Sequence, residues 1–304
     1  MTFRLILTIA CTALFATADT NQSFAPPPQA DPPVEFDGYT YIIFGTEAIR
    51  YQEHTKNSSG STTITVDSDV EVISPVYISG SLTRVNETFD FSMEGTSTLL
   101  PTHGTESWKV EVDSGSSSAT YDPAQDNRFD LLASSMQFLF HYKATPRFRY
   151  IGGLLYTLNS FKRYQWKSYT NLVSTNDTLI EERYASLVGS VGVWYENAPA
   201  ASQLLHYRLR ALIGAPLWQE TTNTAEEYGN LVFTSTEGHN LNLDAYAGLR
   251  VYPGIELGGF FGYDQQYRAA DETVNAGSGR VVTWPENRLA FFRYGAMIVW
   301  KFRE

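Results

Sequence analysis

Apolar and polar residues alternate with a two-residue period along most of this chain. Between residues 205 and 217 every odd position is apolar or aromatic, and His206, Arg208 and Arg210 lie between them. Such alternation is typical of β-strands that have one apolar and one polar face. The same period, bounded by turn residues, predicts ten strands near residues 37–52, 70–85, 88–100, 128–143, 147–162, 183–196, 203–218, 239–252, 255–268 and 288–302.

The connections between these predicted strands alternate strictly between short and long. The short ones are residues 86–87, 144–146, 197–202 and 253–254, and the long ones are 53–69, 101–127, 163–182, 219–238 and 269–287. Outer-membrane barrels have short periplasmic turns and long extracellular loops. The pattern therefore predicts an all-β fold, a ten-stranded antiparallel transmembrane β-barrel with short periplasmic turns and long extracellular loops over residues 37–304.

In such a barrel the apolar rows face lipid and the polar rows face the lumen. A soluble barrel reverses this arrangement, and alternation alone does not distinguish the two. The predicted lumen-lining residues are Asp90, Glu94, Arg149, Arg208, Arg210, Asp244, Arg250, Glu256, Asp264 and Arg293. Because a ten-stranded barrel is narrow, we expect these opposite charges to pair and fill the interior. A narrow pore lined by the same groups is the alternative.

The N-terminal region carries the features of an export signal. Residues 1–18 combine Arg4, an apolar run and small residues before Asp19, which predicts a cleaved signal peptide. A proline-rich periplasmic leader is predicted for residues 19–36. Lipidation at Cys11, the only cysteine, is an alternative, although Thr8-Ile9-Ala10 is a poor lipoprotein box.

Composition narrows the range of partners. After cleavage of the signal, 21 basic residues remain against 33 acidic ones, a net charge of −12. This charge argues against nucleic acid as a partner. No run after residue 18 approaches the roughly 20 apolar residues of a membrane helix, so a membrane-spanning chain of this sequence must be a barrel.

The last predicted strand resembles the C-terminal signal that the bacterial barrel-assembly machinery recognises. The residues that carry this resemblance are Arg293, Gly295, Ile298, Trp300 and Phe302. Arg303 and Glu304, which follow the terminal aromatic residue, depart from the pattern. The resemblance implies that the assembly machinery is a partner during biogenesis.

The chain resembles outer-membrane β-barrel proteins of Gram-negative bacteria over residues 37–302, and its segments 81–86, 139–143 and 159–164 are similar to small barrels without an assigned activity. This resemblance implies the cell outer membrane as the location, with membrane lipids and lipopolysaccharide as neighbours. It implies no catalytic residue.

The predicted size and strand number are also similar to those of the omptin proteases. Omptins use an Asp pair that faces an Asp-His pair at the outer mouth, whereas this chain has Asp67 and Asp69 but no Asp-x-His sequence. Its five histidines lie in no Ser-His-acid pattern, and neither metal-ligand spacing nor a phosphate-binding loop is found. We therefore predict no catalytic residue, no cofactor and no metal site.

The predicted external loops are acidic and rich in hydroxyl groups. The preferred hypothesis is a non-enzymatic barrel whose loops form an interaction surface for envelope maintenance or adhesion. Bridging of the loop carboxylates to lipopolysaccharide by Ca²⁺ or Mg²⁺ is an additional hypothesis. The alternatives are a narrow channel for ions or small solutes, and a surface protease or lipid-modifying enzyme that uses Asp67, Asp69 or His239.

Overall fold

The computed structural model describes residues 38–171, 179–197, 204–224, 231–274 and 281–302. The predicted signal peptide and leader lie outside these residues. The strands are β1 Gly38–Ser59, β2 Thr62–Arg84, β3 Phe89–Thr98, β4 His103–Asp113, β5 Ser118–Lys143, β6 Phe148–Ser168, β7 Ile180–Glu196, β8 Leu205–Asn223, β9 Val232–Ser235, β10 Gly238–Tyr252, β11 Ile255–Arg268, β12 Asp271–Val274, β13 Val281–Trp284 and β14 Glu286–Phe302. In this part of the chain, no helix is long and apolar enough to cross a membrane.

The main sheet closes on itself, because β1 pairs with β2 on one side and with β14 on the other. β3 and β4 occupy one position in the ring, since both pair with β2 and β5, and residues 99–102 interrupt them. The ring therefore has ten positions: β1, β2, β3 with β4, β5, β6, β7, β8, β10, β11 and β14. The predicted ten-stranded antiparallel barrel is confirmed.

Several segments predicted as long loops are strands, and those predictions are wrong. Residues 53–69 continue β1 and β2 to a hairpin whose turn contains Gly60, which has a positive φ of 60°. Residues 101–127 contain the whole of β4 and the start of β5. The serines and threonines that indicated loops pair across strands here, where β-branched residues such as threonine are favoured.

The barrel exposes its apolar rows and buries its charged rows. On β8, Leu209 and Ile213 are 50% and 60% exposed, whereas Arg208 and Arg210 are only 2% and 5% exposed. A soluble barrel has the opposite arrangement. On β1, the outward positions from Thr40 to Ala48 carry no charge, and this length matches the roughly 9–11 residues with which a strand crosses a membrane.

The two ends of the barrel differ. The end with the short connections and the first residue of β1 is called the turn end, and the other is called the hairpin end. Exposed tyrosines and a tryptophan encircle the turn end on the outer surface: Tyr142, Tyr150, Tyr252 and Trp300. Toward the hairpin end the tryptophans do not form a second such ring, because Trp284 is buried against Phe233 and Trp166 contacts Trp108.

Two apolar clusters fill much of the space inside the ring. The cluster nearer the turn end includes Tyr41, Ile43, Leu139, Trp194 and Met297. The cluster nearer the hairpin end is formed by Ile49, Tyr51, Val70, Val72, Phe129, Leu131, Ala133, Phe161, Leu289 and Phe291. Charged and polar layers separate these clusters and close the turn end, so side chains fill most of the interior.

Candidate functional site

The turn end of the lumen is closed by a chain of buried ion pairs. Lys143 Nζ lies 2.6 Å from Asp90 Oδ1, and Arg149 Nε lies 3.1 Å from Asp90 Oδ2. Arg149 Nη1 also donates to Glu196 Oε2 at 2.7 Å. These side chains come from β3, β5, β6 and β7, so the chain of pairs ties four neighbouring strands together.

The same chain continues across the barrel through a histidine. His206 Nε2 is 2.7 Å from Glu196 Oε1, and His206 Nδ1 is 2.6 Å from Glu256 Oε2. Lys301 Nζ reaches Glu256 Oε1 at 2.5 Å. With both ring nitrogens bound to carboxylates, His206 acts as a structural bridge between β7 and β11.

Above this floor, Arg208 lies among aromatic rings. Its guanidinium carbon is 4.7 Å from the ring centre of Trp194, 5.0 Å from that of Tyr41 and 5.7 Å from that of Tyr246. Its Nη1 also donates to the hydroxyl of Tyr39 at 3.3 Å. Cation–π contacts of this kind stabilise a desolvated guanidinium, and the four rings with Arg208 block the lumen.

Two further arginines hold the next layer. Arg210 Nη2 donates to Glu94 at 2.8 Å and its Nη1 to Gln137 at 2.8 Å, and it pairs with Asp244. Arg293 Nε donates to Glu47 at 3.0 Å, and Arg293 also pairs with Asp264. This polar layer lies between the two apolar clusters.

Nearer the hairpin end, three buried carboxylates surround one guanidinium. Arg163 donates from Nε to Glu106 at 2.7 Å and from Nη2 to Glu53 at 2.7 Å, and it pairs with Glu182. Its guanidinium also packs over the rings of Tyr51, Trp108 and Phe129 at 5.7, 5.3 and 5.5 Å. Arg163 with Glu53, Glu106 and Glu182 is called the Arg163 cluster below.

Nine of the ten predicted lumen residues take part in these layers, and the alternation explains their positions. Arg250 differs: it lies opposite Glu256 in the register but is only half-buried, at the turn-end edge. The Arg163 cluster is absent from the predicted set because its members fall in segments predicted as loops. Continuing the two-residue period from Phe161 to Arg163 would have placed that arginine inside.

The acidic residues considered for proteolysis face away from the lumen. Asp67 and Asp69 lie on the outward side of β2, where Asp67 contacts His54 Nδ1 at 2.7 Å and Asp69 accepts from Arg50 Nη2 at 2.6 Å. His239 stacks on Tyr267 with ring centres 5.0 Å apart. The geometry therefore does not bring Asp67, Asp69 and His239 together.

Within the described parts of the chain, no group of three or more His, Cys, Asp or Glu side chains is arranged to hold a metal ion. The Arg163 cluster contains three carboxylates, but their shared arginine occupies the centre. No metal chemistry follows from these residues.

Comparison with known proteins gives a likeness of fold. No family model and no curated protein matches the chain. The outer membrane protease OmpT from Escherichia coli aligns with 90% of this chain and 99% of its own, at 11% identity and a TM-score of 0.61. The outer membrane protein OprG from Pseudomonas aeruginosa aligns with 89% of this chain and 98% of its own, at 10% identity and a TM-score of 0.33. The translocator domain of the autotransporter NalP from Neisseria meningitidis aligns with 86% of this chain and 88% of its own, at 9% identity and a TM-score of 0.34. The chain has the fold of an outer-membrane β-barrel of omptin size.

Proposed function

We propose that this protein is an integral, non-enzymatic β-barrel of the cell outer membrane, whose hairpin end forms an interaction surface for envelope maintenance or adhesion. In this proposal the turn end faces the periplasm. The exposed apolar rows of the outer surface, such as Leu209 and Ile213 of β8, are called the apolar belt and contact membrane lipids and lipopolysaccharide. The observation that carries the proposal is a lumen closed at successive levels beneath hairpins that extend beyond the belt.

The closed lumen argues against the channel alternative. The floor of ion pairs, the Arg208 layer and the Arg210 layer lie one above another within the ring. Each layer joins side chains from opposite or neighbouring strands by direct contacts. A conducting path through the whole barrel would have to break these buried charge contacts, which is costly.

The hairpin end carries a sheet with two different faces. β1 and β2 pair as far as Ser59 and Thr62, whereas β1 and β14 pair only as far as His54 and Glu286. β4 and β5 extend alongside β2. The part of β1, β2, β4 and β5 beyond His54 is called the hairpin sheet. Within the described residues, β14 does not pair with the β1 edge of this sheet.

On the lumen-side face of the hairpin sheet, β2 and β4 carry an apolar group next to the polar residues Thr55 and Asn57 of β1. Val66 lies directly opposite Val110, and Ile64 lies opposite Val112. Ile64 is 41% exposed, beyond the level of the belt. An apolar group that reaches the surface outside the membrane region supports this face as the contact surface.

The other face of the hairpin sheet is hydrophilic. It alternates with the apolar row and carries threonines, carboxylates and Lys109, which pairs with Glu111 at 2.5 Å. Asp67 is the register partner of Lys109 on this face. The contrast between the two faces supports the lumen-side face as the contact surface.

The experiment compares cells that lack the gene with cells that carry it back as wild type or as the double variant Val66→Asp/Val112→Asp. We expect the double variant to insert at normal levels and to resemble the deletion in surface adherence or in leakage of hydrophobic dyes. Buried or contacting valines lose their apolar contacts when they become charged. The readouts are adherence to a solid surface and dye uptake.

The matched control is Thr65→Asp/Thr105→Asp, which adds the same charges to the opposite face of the same two strands. This control should behave as wild type. If the valine double variant restores both properties fully, or if both variants fail equally, the lumen-side face is not the interaction surface.

The last strand supports an assembly role as part of the same proposal. β14 closes the ring against β1, with Gly295 opposite Gly45 and Ile298 opposite Ile42. Trp300 and Phe302 continue this seam to the turn end, opposite Thr40 and Gly38. A strand that completes the ring is well placed to be the segment that the assembly machinery recognises.

A further inference from the structure

A polar cavity lies in the middle of the barrel. It is bounded by the layer that contains Arg210 and Arg293 and by Phe291 of the apolar cluster nearer the hairpin end. Its volume is about 40 Å³, which is room for roughly three water molecules. Its wall is rich in amides and hydroxyls, among them Thr96, Gln137, Asn240 and Asn242. This composition differs from the apolar clusters below and above it.

Two buried groups on the cavity wall have unused hydrogen-bonding capacity. The side chains of Asn240 and Ser190 are 8% and 6% exposed, and both line the cavity. Neither side chain forms a hydrogen bond with another of the described residues. Buried polar side chains are nearly always hydrogen-bonded, so these two groups indicate an occupant of the cavity that supplies the partner.

The charge of the surrounding layer indicates the sign of that occupant. Four carboxylates, those of Glu47, Glu94, Asp244 and Asp264, share two arginines, Arg210 and Arg293. Three of the carboxylates line the cavity, but only one of the arginines does. An excess of negative charge in a buried space favours a cation.

A second, smaller cavity adjoins the central one on the side of the hairpin end. It is lined by Tyr184, Thr221 and Arg268, and it shares Asn159 and Gln266 with the central cavity. Asn159 Nδ2 donates to Gln266 Oε1 at 3.4 Å, so this long hydrogen bond marks the constriction between the two cavities. The second cavity is also lined by Tyr51, Phe161 and Leu289 of the apolar cluster nearer the hairpin end.

Packed side chains close the central cavity on the side of the turn end. Below the central cavity, Arg210 pairs with Glu94 and Asp244, and Arg208 packs among Trp194 and its neighbouring rings. A ligand in the central cavity can therefore contact Asn240 and Ser190 while the layers below it stay intact. Binding there is compatible with a lumen that conducts no ions.

We propose that the central cavity is a binding site for a small organic cation that carries a primary ammonium group and a hydroxyl group. The ammonium group donates to the carboxylates of Asp244 and Asp264, and the hydroxyl group pairs with Asn240 and Ser190. Separation of the Asn159–Gln266 pair admits the ligand. This site goes beyond the proposed surface role and does not depend on it.

The test is calorimetric titration of the refolded mature protein in detergent micelles with ethanolamine. Ethylene glycol replaces the ammonium group by a hydroxyl group, and glycolate replaces it by a carboxylate. We expect one ethanolamine to bind per barrel, ethylene glycol to bind at least about tenfold more weakly, and glycolate not to bind, because the charged hydrogen bonds carry the recognition.

Ser190→Leu fills the cavity and should abolish ethanolamine binding, whereas Ser79→Leu, on the outward side of β2, should leave it unchanged. Heat-modifiable migration on a gel verifies that each variant is a closed barrel. If Ser190→Leu does not fold, Asn240→Leu, which removes the other proposed partner of the hydroxyl group, serves instead and should weaken ethanolamine binding by at least about tenfold. Absence of ethanolamine binding to the wild type, equal binding of ethylene glycol, or undiminished binding in the folded cavity variant would each overturn the proposal.

Discussion

Replacing Arg163 by methionine is expected to produce the largest loss of stability of any single substitution inside the barrel. Arg163 is buried and contacts Glu53, Glu106 and Glu182, and its removal leaves these buried carboxylates without their shared cation. Breaking a buried ion pair in this way typically costs about 3–5 kcal/mol. The measurement is the temperature at which the purified protein loses its heat-modifiable gel migration.

Arg128→Met is the control, because Arg128 is exposed on the outward side of β5 at a similar height. Its loss should change the transition temperature little, since exposed charges contribute only about 0–1 kcal/mol. A further variant, Arg163→Met with Glu53→Gln, Glu106→Gln and Glu182→Gln, should recover part of the loss by removing the unpaired charges. Equal stability of the Arg163 and Arg128 variants would show that the cluster does not hold the hairpin end together.

The second large effect is expected on the outer surface. Leu209→Arg places a charge near the middle of the apolar row of β8, where the leucine is 50% exposed. If this row faces the bilayer interior, the substitution costs about 2–4 kcal/mol of folding free energy. The measurement is the denaturant dependence of folding into lipid vesicles.

Leu205→Arg provides the comparison at a different depth on the same strand. Leu205 is the first residue of β8, next to the turn end, and it points in the same direction as Leu209. A charge near the interface costs only about 0–1 kcal/mol. Equal costs at the two positions, or no cost at Leu209, would mean that the exposed apolar row does not contact lipid.

The strand pattern within the belt was predictable because each strand there obeys a single constraint. Apolar residues must face outward and charged residues must face the lumen, which imposes a strict two-residue period, as at Leu209 and Arg210. This period also fixes the register in which neighbouring strands pair. The C-terminal strand was also predictable, since its outward row continues to Trp300. These features depend on local sequence and on the solvent on each face.

Beyond the belt the constraint weakens, and the predictions fail there. Outside the bilayer both faces of a strand can carry polar groups, so the two-residue alternation is lost. Thr62 and Thr63 therefore resembled loop residues although they lie in β2. The Arg163 cluster joins residues that are 110 positions apart along the chain, as Arg163 and Glu53 are. Such residues meet only because the sheet closes into a ring, and the local sequence pattern does not show which residues will then be in contact.

The cavity could not be predicted for a related reason. Asn240 and Asn159 each fit a polar lumen row, and nothing in either strand shows whether they contact another side chain or line a space. That difference depends on how side chains from opposite walls fill the interior. Volume inside a closed sheet is a property of all ten strand positions together.

The closed lumen is the central claim, and ion conductance of the refolded mature protein in a planar lipid bilayer tests it most directly. Heat-modifiable migration on a gel first verifies that the barrel is folded. The structure predicts a folded barrel that shows no reproducible conductance steps, because the floor of ion pairs and the Arg208 layer close the turn end. Discrete steps whose size changes when Arg208 and Arg210 are replaced by serine would contradict the closed lumen and make it a pore.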